Sequence, residues 1–259
     1  MHRFLKAFGQ LDRIPEVLRC RAATKDWFPL ATAYLGFPTR FPFRIALSSG
    51  PFEFREASDI PTFWRIFFND IYTVRPEDRV IVDAGANIGA FTLFALLRAP
   101  SCHVIAIEPA PDSCQRLRST LAAHGLSHRC TVYEAALADY TGHTTINLKV
   151  GGQFRVTGEG DVRVPTVTLD EVCAPLGSID LLKIDTEGAE YSVFPAAKPE
   201  LLERIDRIEM EYHPSGKPED ILGKLQEVGF SVVKREANVS GYGMLALARA
   251  PVVSQLEVR

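Results

Sequence analysis

The stretch VIVDAGANIGAFT, Val80 to Thr92, decides the fold. Its first three residues are β-branched and pack well on a pleated strand. A carboxylate follows at Asp83, then glycines at 85 and 89, and then the apolar run of a helix that begins near Ile88. Glycine lets a backbone turn sharply and lets other groups approach it closely. A strand, an acid and a side-chain-poor turn into a helix are what the first strand of a doubly wound α/β sheet requires. That strand lies at the switch point, where successive crossovers diverge and leave a crevice at the carboxyl ends of the strands. The helix start presents free N–H groups to the same crevice.

Downstream, strands and helices alternate, which predicts a mostly parallel sheet covered on both faces. RVIVD is the first strand and Ile88 to Arg98 its helix; HVIAIE is the second, followed by a helix from Pro111 to His124 with Gly125 as a left-handed cap. CTVYEAAL is the third strand. TTINLKV and VRVPTVTL form an extra pair before a capping box, Thr168-x-x-Glu171, that opens a short helix. IDLLKID and IDRIEMEYH are the fourth and fifth strands, and a helix from Pro218 to Val228 stops at Gly229. FSVVKR and MLALAR close the chain as an antiparallel pair across EANVSGYG.

Residues 1–75 read differently. Six basic residues outnumber two acids from Met1 to Lys25, and Phe4, Phe8, Leu11 and Leu18 fall near one helical face that Pro15 interrupts. Two short amphipathic helices are expected, as a packing arm whose basic face is solvated. FRIALSSGPFEFRE, Phe43 to Glu56, alternates on both sides of a turn and predicts a β-hairpin. DIPTFWRIFFNDIY follows as a helix, with Phe63, Phe67 and Ile71 as a core stripe.

Composition narrows the function. The chain has 259 residues, 46% of them hydrophobic, enough for one large core with a small annex. A net charge of −3 lacks the basic excess of a nucleic-acid binder. Cysteines 20, 102, 114, 130 and 173 are odd in number and include no C-x-x-C pair, so reduced thiols in a cytoplasmic protein are expected. No window approaches the roughly 18 uncharged apolar residues of a membrane span. His124-x-x-x-His128 has a metal-like spacing, but Gly125 breaks the helix that would align it, and no metal site is expected there.

The crevice needs a ligand. Gly85-Ala86-Asn87-Ile88-Gly89 lacks the dinucleotide G-x-G-x-x-G spacing. Glu108 ends the second strand, 19 residues beyond Gly89, where an acid accepts hydrogen bonds from both hydroxyls of a ribose and repels a 2′-phosphate. Between a nicotinamide dinucleotide and S-adenosylmethionine, Asp83 before the bend and the closing antiparallel pair favour the second. Together VIVDAGANIGAFT, VIAIEPAPDS, EAALAD, TLDEV, LLKIDTEGAE and IEMEYH resemble the FkbM family of S-adenosylmethionine-dependent methyltransferases. The resemblance spans roughly residues 60 to 250, and K-I-D-x-E-G-x-E is its most specific piece.

That resemblance implies a class I methyltransferase (Rossmann-like) α/β fold with a seven-stranded sheet, the last strand antiparallel, and O-methylation of a small-molecule or glycan acceptor. Residues 76–250 would form the cofactor-binding domain, 1–75 a helical and hairpin extension able to cap the acceptor site, and 251–259 a tail. Asp83, Gly85, Asn87 and Gly89 would hold the methionine portion of the cofactor, Glu108 its ribose, and Ala136 and Leu137 its adenine; Asp139 would take the exocyclic amine or simply end a turn. Asp185-Thr186-Glu187-Gly188 stands where enzymes that methylate base amines carry an Asn- or Asp-Pro-Pro-aromatic element, so a nucleic-acid acceptor is not expected.

Strand alternation puts Lys183 and Asp185 on one face of the fourth strand and Glu209, Glu211 and His213 on one face of the fifth. Buried charges need partners, so Lys183 is expected to pair with Glu209 or Glu211. Asp185, Glu187 and His213 lie nearest the crevice and are the candidate catalytic residues, with Asp185 also beside the transferring methyl. His213 would act as general base, or the three would ligate a divalent ion; the metal-free reading is favoured because the oxygen ligands are few. Two alternatives stand: a nicotinamide-dependent oxidoreductase, disfavoured by the glycine spacing, and a cofactor-binding interaction module without catalysis.

Overall fold

The computed structural model describes residues 13–147, 162–237 and 240–249. Its centre is β3 (Val80–Ala84), whose side chains alternate between two cores. Ile81 joins one apolar cluster, with Val104 and Leu181 from the flanking strands; Val82 and Ala84 join the other, with Ile105, Leu182 and Ile184. Beside it lie β4 (His103–Ile107) and β5 (Cys130–Tyr133) on one side, and β9 (Leu181–Ile184), β10 (Arg207–Tyr212), β12 (Gly243–Arg249) and β11 (Phe230–Ala237) on the other. The order is β11-β12-β10-β9-β3-β4-β5. Pairing is parallel from β5 through β10, and β12 runs antiparallel to both β10 and β11. This is the seven-stranded class I methyltransferase arrangement, as expected.

The first core face is covered by α1 (Ile14–Ala23), α2 (Trp27–Tyr34), α3 (Asp59–Phe68) and α4 (Ala90–Arg98), with α5 (Pro111–Ala123) at its rim. The second is covered by α6 (Leu169–Cys173), α7 (Glu190–Ala196), α8 (Pro199–Leu202) and α9 (Pro218–Glu227). The Thr168 and Glu171 side chains complete the expected capping box at the start of α6. All five cysteines are free thiols. Among the described residues no helix is long and apolar enough to cross a membrane.

Pro15 opens α1 in the first turn, where its missing N–H has no partner to lose. The helical face expected of Phe4, Phe8 and Leu11 lies outside the described residues. The hairpin is present as β1 (Phe43–Leu47) and β2 (Gly50–Phe54), with Phe52 and Phe54 against Phe63 of α3. Trp64 stacks on Tyr34 at 4.4 Å and donates its indole N–H to Glu16 at 2.6 Å. Cys20, Leu30, Phe52 and Trp64 belong to the same cluster as Phe91 and Val104, so packing shows no seam near residue 75.

The expected third strand is two. β5 ends at Tyr133; Ala135 N–H then bonds back to the Glu108 carbonyl, and β6 (Ala136–Leu137) leaves the main sheet. It pairs with β8 (Val162–Val167), which also pairs with β7 (Gly142–Ile146), making the extra pair a three-stranded sheet.

Candidate active site

After β3 the chain takes three left-handed residues in five, Gly85 (φ 78°), Asn87 (φ 49°) and Gly89 (φ 83°). A Cβ on Gly85 would lie 1.8 Å from the Asp185 carbonyl oxygen; one on Gly89 would meet Leu117 Cγ at 2.8 Å. Both glycines are therefore required by the protein's packing on itself. Gly85 lines the cavity described below, and Gly89 does not.

Asp83 is fully buried beneath this turn and is not part of the cavity wall. One carboxylate oxygen accepts from Thr92 Oγ1 at 2.6 Å, and the other lies 3.0 Å from Lys183 Nζ. Lys183 also donates to the Gly85 carbonyl at 2.7 Å. The expected pairing of Lys183 with Glu209 or Glu211 is thus corrected. Glu209 instead accepts from the Thr73 N–H at 2.8 Å, and Glu211 lies 3.4 Å from Arg65. Burial disfavours the Lys183 ammonium, but the Asp83 charge and hydrogen bond, with the charges of Asp185 and Glu108, together outweigh it and hold its pKa above the ordinary value.

Glu108 ends β4 with only 3% of its surface exposed. Its carboxylate accepts from the Asn87 N–H at 2.8 Å and the Ala110 N–H at 2.9 Å. Burial nevertheless pushes its pKa to about 7, because two neutral donors do not replace full hydration.

A cavity of about 430 Å³ lies between α3 and the carboxyl ends of the central strands. Gly85, Asn87, Glu108, Ala136 and Leu137 line it, as do Asp185, Glu187 and His213. Asp139 is exposed and lies off it. Ser58, Thr62 and Arg65 of the extension supply a polar wall, and Tyr72 and Tyr242 add aromatic surface.

At the ends of β9 and β10 the three candidate catalytic side chains come together. His213 Nε2 lies 3.6 Å from Asp185 Oδ1 and 3.4 Å from Glu187 Oε2. The donor atoms of all three fall within 4.8 Å of one another. Glu190, absent from the expected site, is fully buried and organises it. It accepts from His213 Nδ1 and the His213 backbone N–H, both at 3.0 Å, and from the Gly188 N–H at 2.9 Å. Burial disfavours the Glu190 carboxylate, but the His213 hydrogen bond and charge, with the backbone N–H donors, together outweigh it and hold the pKa below the ordinary range. Burial likewise disfavours the His213 cation, and the same hydrogen bond with the surrounding carboxylates holds its pKa up. The sequence signal for Glu190 is the last acid of K-I-D-x-E-G-x-E. Arg65 was hidden in a helix whose aromatic stripe drew attention to its other face. His124 is taken up by Ser49 Oγ at 2.8 Å and the Pro51 carbonyl at 3.0 Å, in keeping with no metal there.

Comparison with known proteins agrees with this architecture. The model of the methyltransferase FkbM domain matches residues 83–232. The 31-O-demethyl-FK506 methyltransferase FkbM of Streptomyces tacrolimicus is 31% identical over 200 residues, covering 63% of this chain and 76% of that protein. The 2-O-methyltransferase NoeI of Sinorhizobium fredii is 28% identical over 184 residues, covering 62% and 74%. AMB antimetabolite synthetase AmbE of Pseudomonas aeruginosa is 26% identical over 235 residues; the match covers 69% of this chain but 11% of that protein. Asn87 Oδ1, buried at the cavity without a hydrogen-bond partner among the described residues, and the Glu108 carboxylate fit S-adenosylmethionine, whose ammonium and ribose hydroxyls are donors. The chain belongs to the FkbM family of methyltransferases, with S-adenosylmethionine as its cofactor.

Proposed function

We propose that this protein transfers a methyl group to an oxygen nucleophile of a small-molecule or glycan acceptor. The carrying observation is that one cavity joins Glu108 to the Asp185, Glu187 and His213 cluster. Glu108 lies at the end of β4 and His213 beyond β10, three strand spacings or about 14 Å apart. That span suits an extended nucleoside cofactor followed by an acceptor. The relatives FkbM, a 31-O-demethyl-FK506 methyltransferase, and NoeI, a 2-O-methyltransferase, support the same reading.

When bound, S-adenosylmethionine supplies a methyl group on a sulfonium, a leaving group that needs no protonation. Glu108 would receive the ribose hydroxyls, Asn87 Oδ1 the ammonium, and the backbone at Ala136 and Leu137 the adenine, with Asp83 and Gly89 supporting the turn from beneath. The acceptor's oxygen sits against Asp185, Glu187 and His213. There the cluster would orient the acceptor's lone pair toward the methyl group that the sulfonium supplies, and would take up the hydroxyl proton released as an oxygen–carbon bond replaces the carbon–sulfur bond. The protein's main contribution is alignment of the two reacting atoms.

Calorimetry with the cofactor and an acceptor screen with labelled methyl test this. S-adenosylmethionine should bind and NAD should not, and label should appear on hydroxyl acceptors. His213→Ala should lower turnover by ~10²- to 10⁴-fold with cofactor affinity nearly intact. Binding of NAD in place of S-adenosylmethionine would overturn the proposal, as would label found only on nitrogen.

A further inference from the structure

We infer that Asp185, Glu187 and His213 form a divalent-cation site at the acceptor end of the cavity. The inference deepens the methyl-transfer reading and rests on it for the ion's use, which is to hold the acceptor's oxygen.

The donor set is mixed, two carboxylate oxygens and one imidazole nitrogen, all within 4.8 Å of one another. Neighbouring ligands of an octahedral ion with bonds of about 2.1 Å stand about 3.0 Å apart and opposite ones about 4.2 Å. The contacts of 3.4 and 3.6 Å between His213 Nε2 and the two carboxylates are therefore near ligand spacing. The three residues line the cavity wall, so remaining coordination positions open toward the acceptor.

His213 is the independent indication. Its side chain is 3% exposed, and among the described residues no hydrogen bond reaches Nε2. Nδ1 is taken by Glu190 at 3.0 Å, which fixes the ring and aims Nε2 between Asp185 and Glu187. A carboxylate behind a histidine is the usual outer support of a metal ligand.

Charge balance agrees. Asp185, Glu187, Glu190 and Glu211 all act on this region, and each of the first three lies within 3.6 Å of the one imidazole. Lys183 is committed to Asp83 and the Gly85 carbonyl, and Arg65 reaches only Glu211. Two positive charges at the trio would offset the excess. An imidazole with carboxylates favours a first-row ion such as Mn²⁺ over Mg²⁺. The sequence already offered these three donors, and the metal-free preference rested on too few oxygen ligands; the ends of β9 and β10 bring the three together at one point.

The test uses the full chain, stripped of metal, with Mn²⁺ titrated and free ion followed by electron paramagnetic resonance. One Mn²⁺ per chain should bind without cofactor or acceptor. Glu187→Gln should weaken binding at least tenfold, and Glu190→Gln by ~10- to 100-fold through the histidine it orients. Both variants should keep the wild-type circular dichroism and S-adenosylmethionine affinity, which separates ligand loss from misfolding. No Mn²⁺ binding by the wild type, or equal binding by folded Glu187→Gln, overturns the site. S-adenosylmethionine binding is read separately: its absence beside intact Mn²⁺ binding would sink the methyl-transfer reading and leave the cation site standing.

Discussion

Glu108 should make cofactor affinity depend on pH in the neutral range. Its carboxyl is buried and held at about 7, while a ribose donating two hydroxyl hydrogens is bound best by the ionised form. The cofactor must therefore drive a proton off wherever Glu108 is protonated. With a free-state pKa of about 7, roughly one molecule in ten is ionised at pH 6, and affinity there should be about tenfold weaker than at pH 8. Calorimetry from pH 5.5 to 8.5 reads this directly, and buffers of different ionisation enthalpy should report proton release on binding below pH 7. Glu108→Gln, which cannot ionise, should bind more weakly and lose the slope. The unliganded protein should respond with the opposite sign. A folded pKa above the ordinary 4.5 contributes stability that is present below pH 4.5 and is lost as pH rises toward 7. A wild-type affinity flat across this range, or a Glu108→Gln variant that keeps the slope, would refute the ribose assignment.

The two turn glycines should separate. Gly85→Ala puts a methyl 1.8 Å from the Asp185 carbonyl and should abolish cofactor binding and lower the melting temperature. Gly89→Ala meets the Leu117 side chain at 2.8 Å and its Cα at 3.2 Å and should cost at least about 1–2 kcal/mol of stability, read by denaturant unfolding, with cofactor affinity little changed. Lys183→Met strands a fully buried Asp83 and should cost ~3–5 kcal/mol, recovered in part by Asp83→Asn in a double-mutant cycle. Removing residues 1–26 uncovers Trp64 and takes away the Glu16 acceptor; circular dichroism should report loss of folding rather than a trimmed but active domain.

The sheet was legible because its signals are local. Apolar strands, alternating helices, the Thr168 capping box and glycine stops all act within a few residues, and they predict the elements close to where they lie. The partner of Lys183 was not legible, for a geometric reason. Lys183 stands in register with both Asp83 on one side and Glu209 on the other, and alternation assigns the face but not the neighbour. Glu209 is drawn away by the Thr73 N–H, a residue of the preceding loop that no strand pattern reveals. The break after Tyr133 is similar: EAAL has the composition of a strand, and only the return bond to the Glu108 carbonyl shows where the sheet ends. Asp185, Glu187 and His213 could be named from their positions at strand ends. Their convergence depended on the Glu190 carboxylate, whose place behind His213 is a product of three dimensions.

Helix α3 carries two surfaces with different masters. Phe63, Trp64 and Phe68 are locked into the aromatic core, whereas Ser58, Thr62 and Arg65, spaced four and three apart, face the cavity on adjoining turns. With the acceptor placed as proposed, descendants of one ancestor would exchange acceptors by changing side chains of the second set while the buried face stays put. The same division warns against transplanting the helix whole between relatives, since its inner residues would arrive without the hairpin and arm that were shaped around them. Redesign of acceptor preference belongs on positions 58, 62 and 65, one side chain at a time.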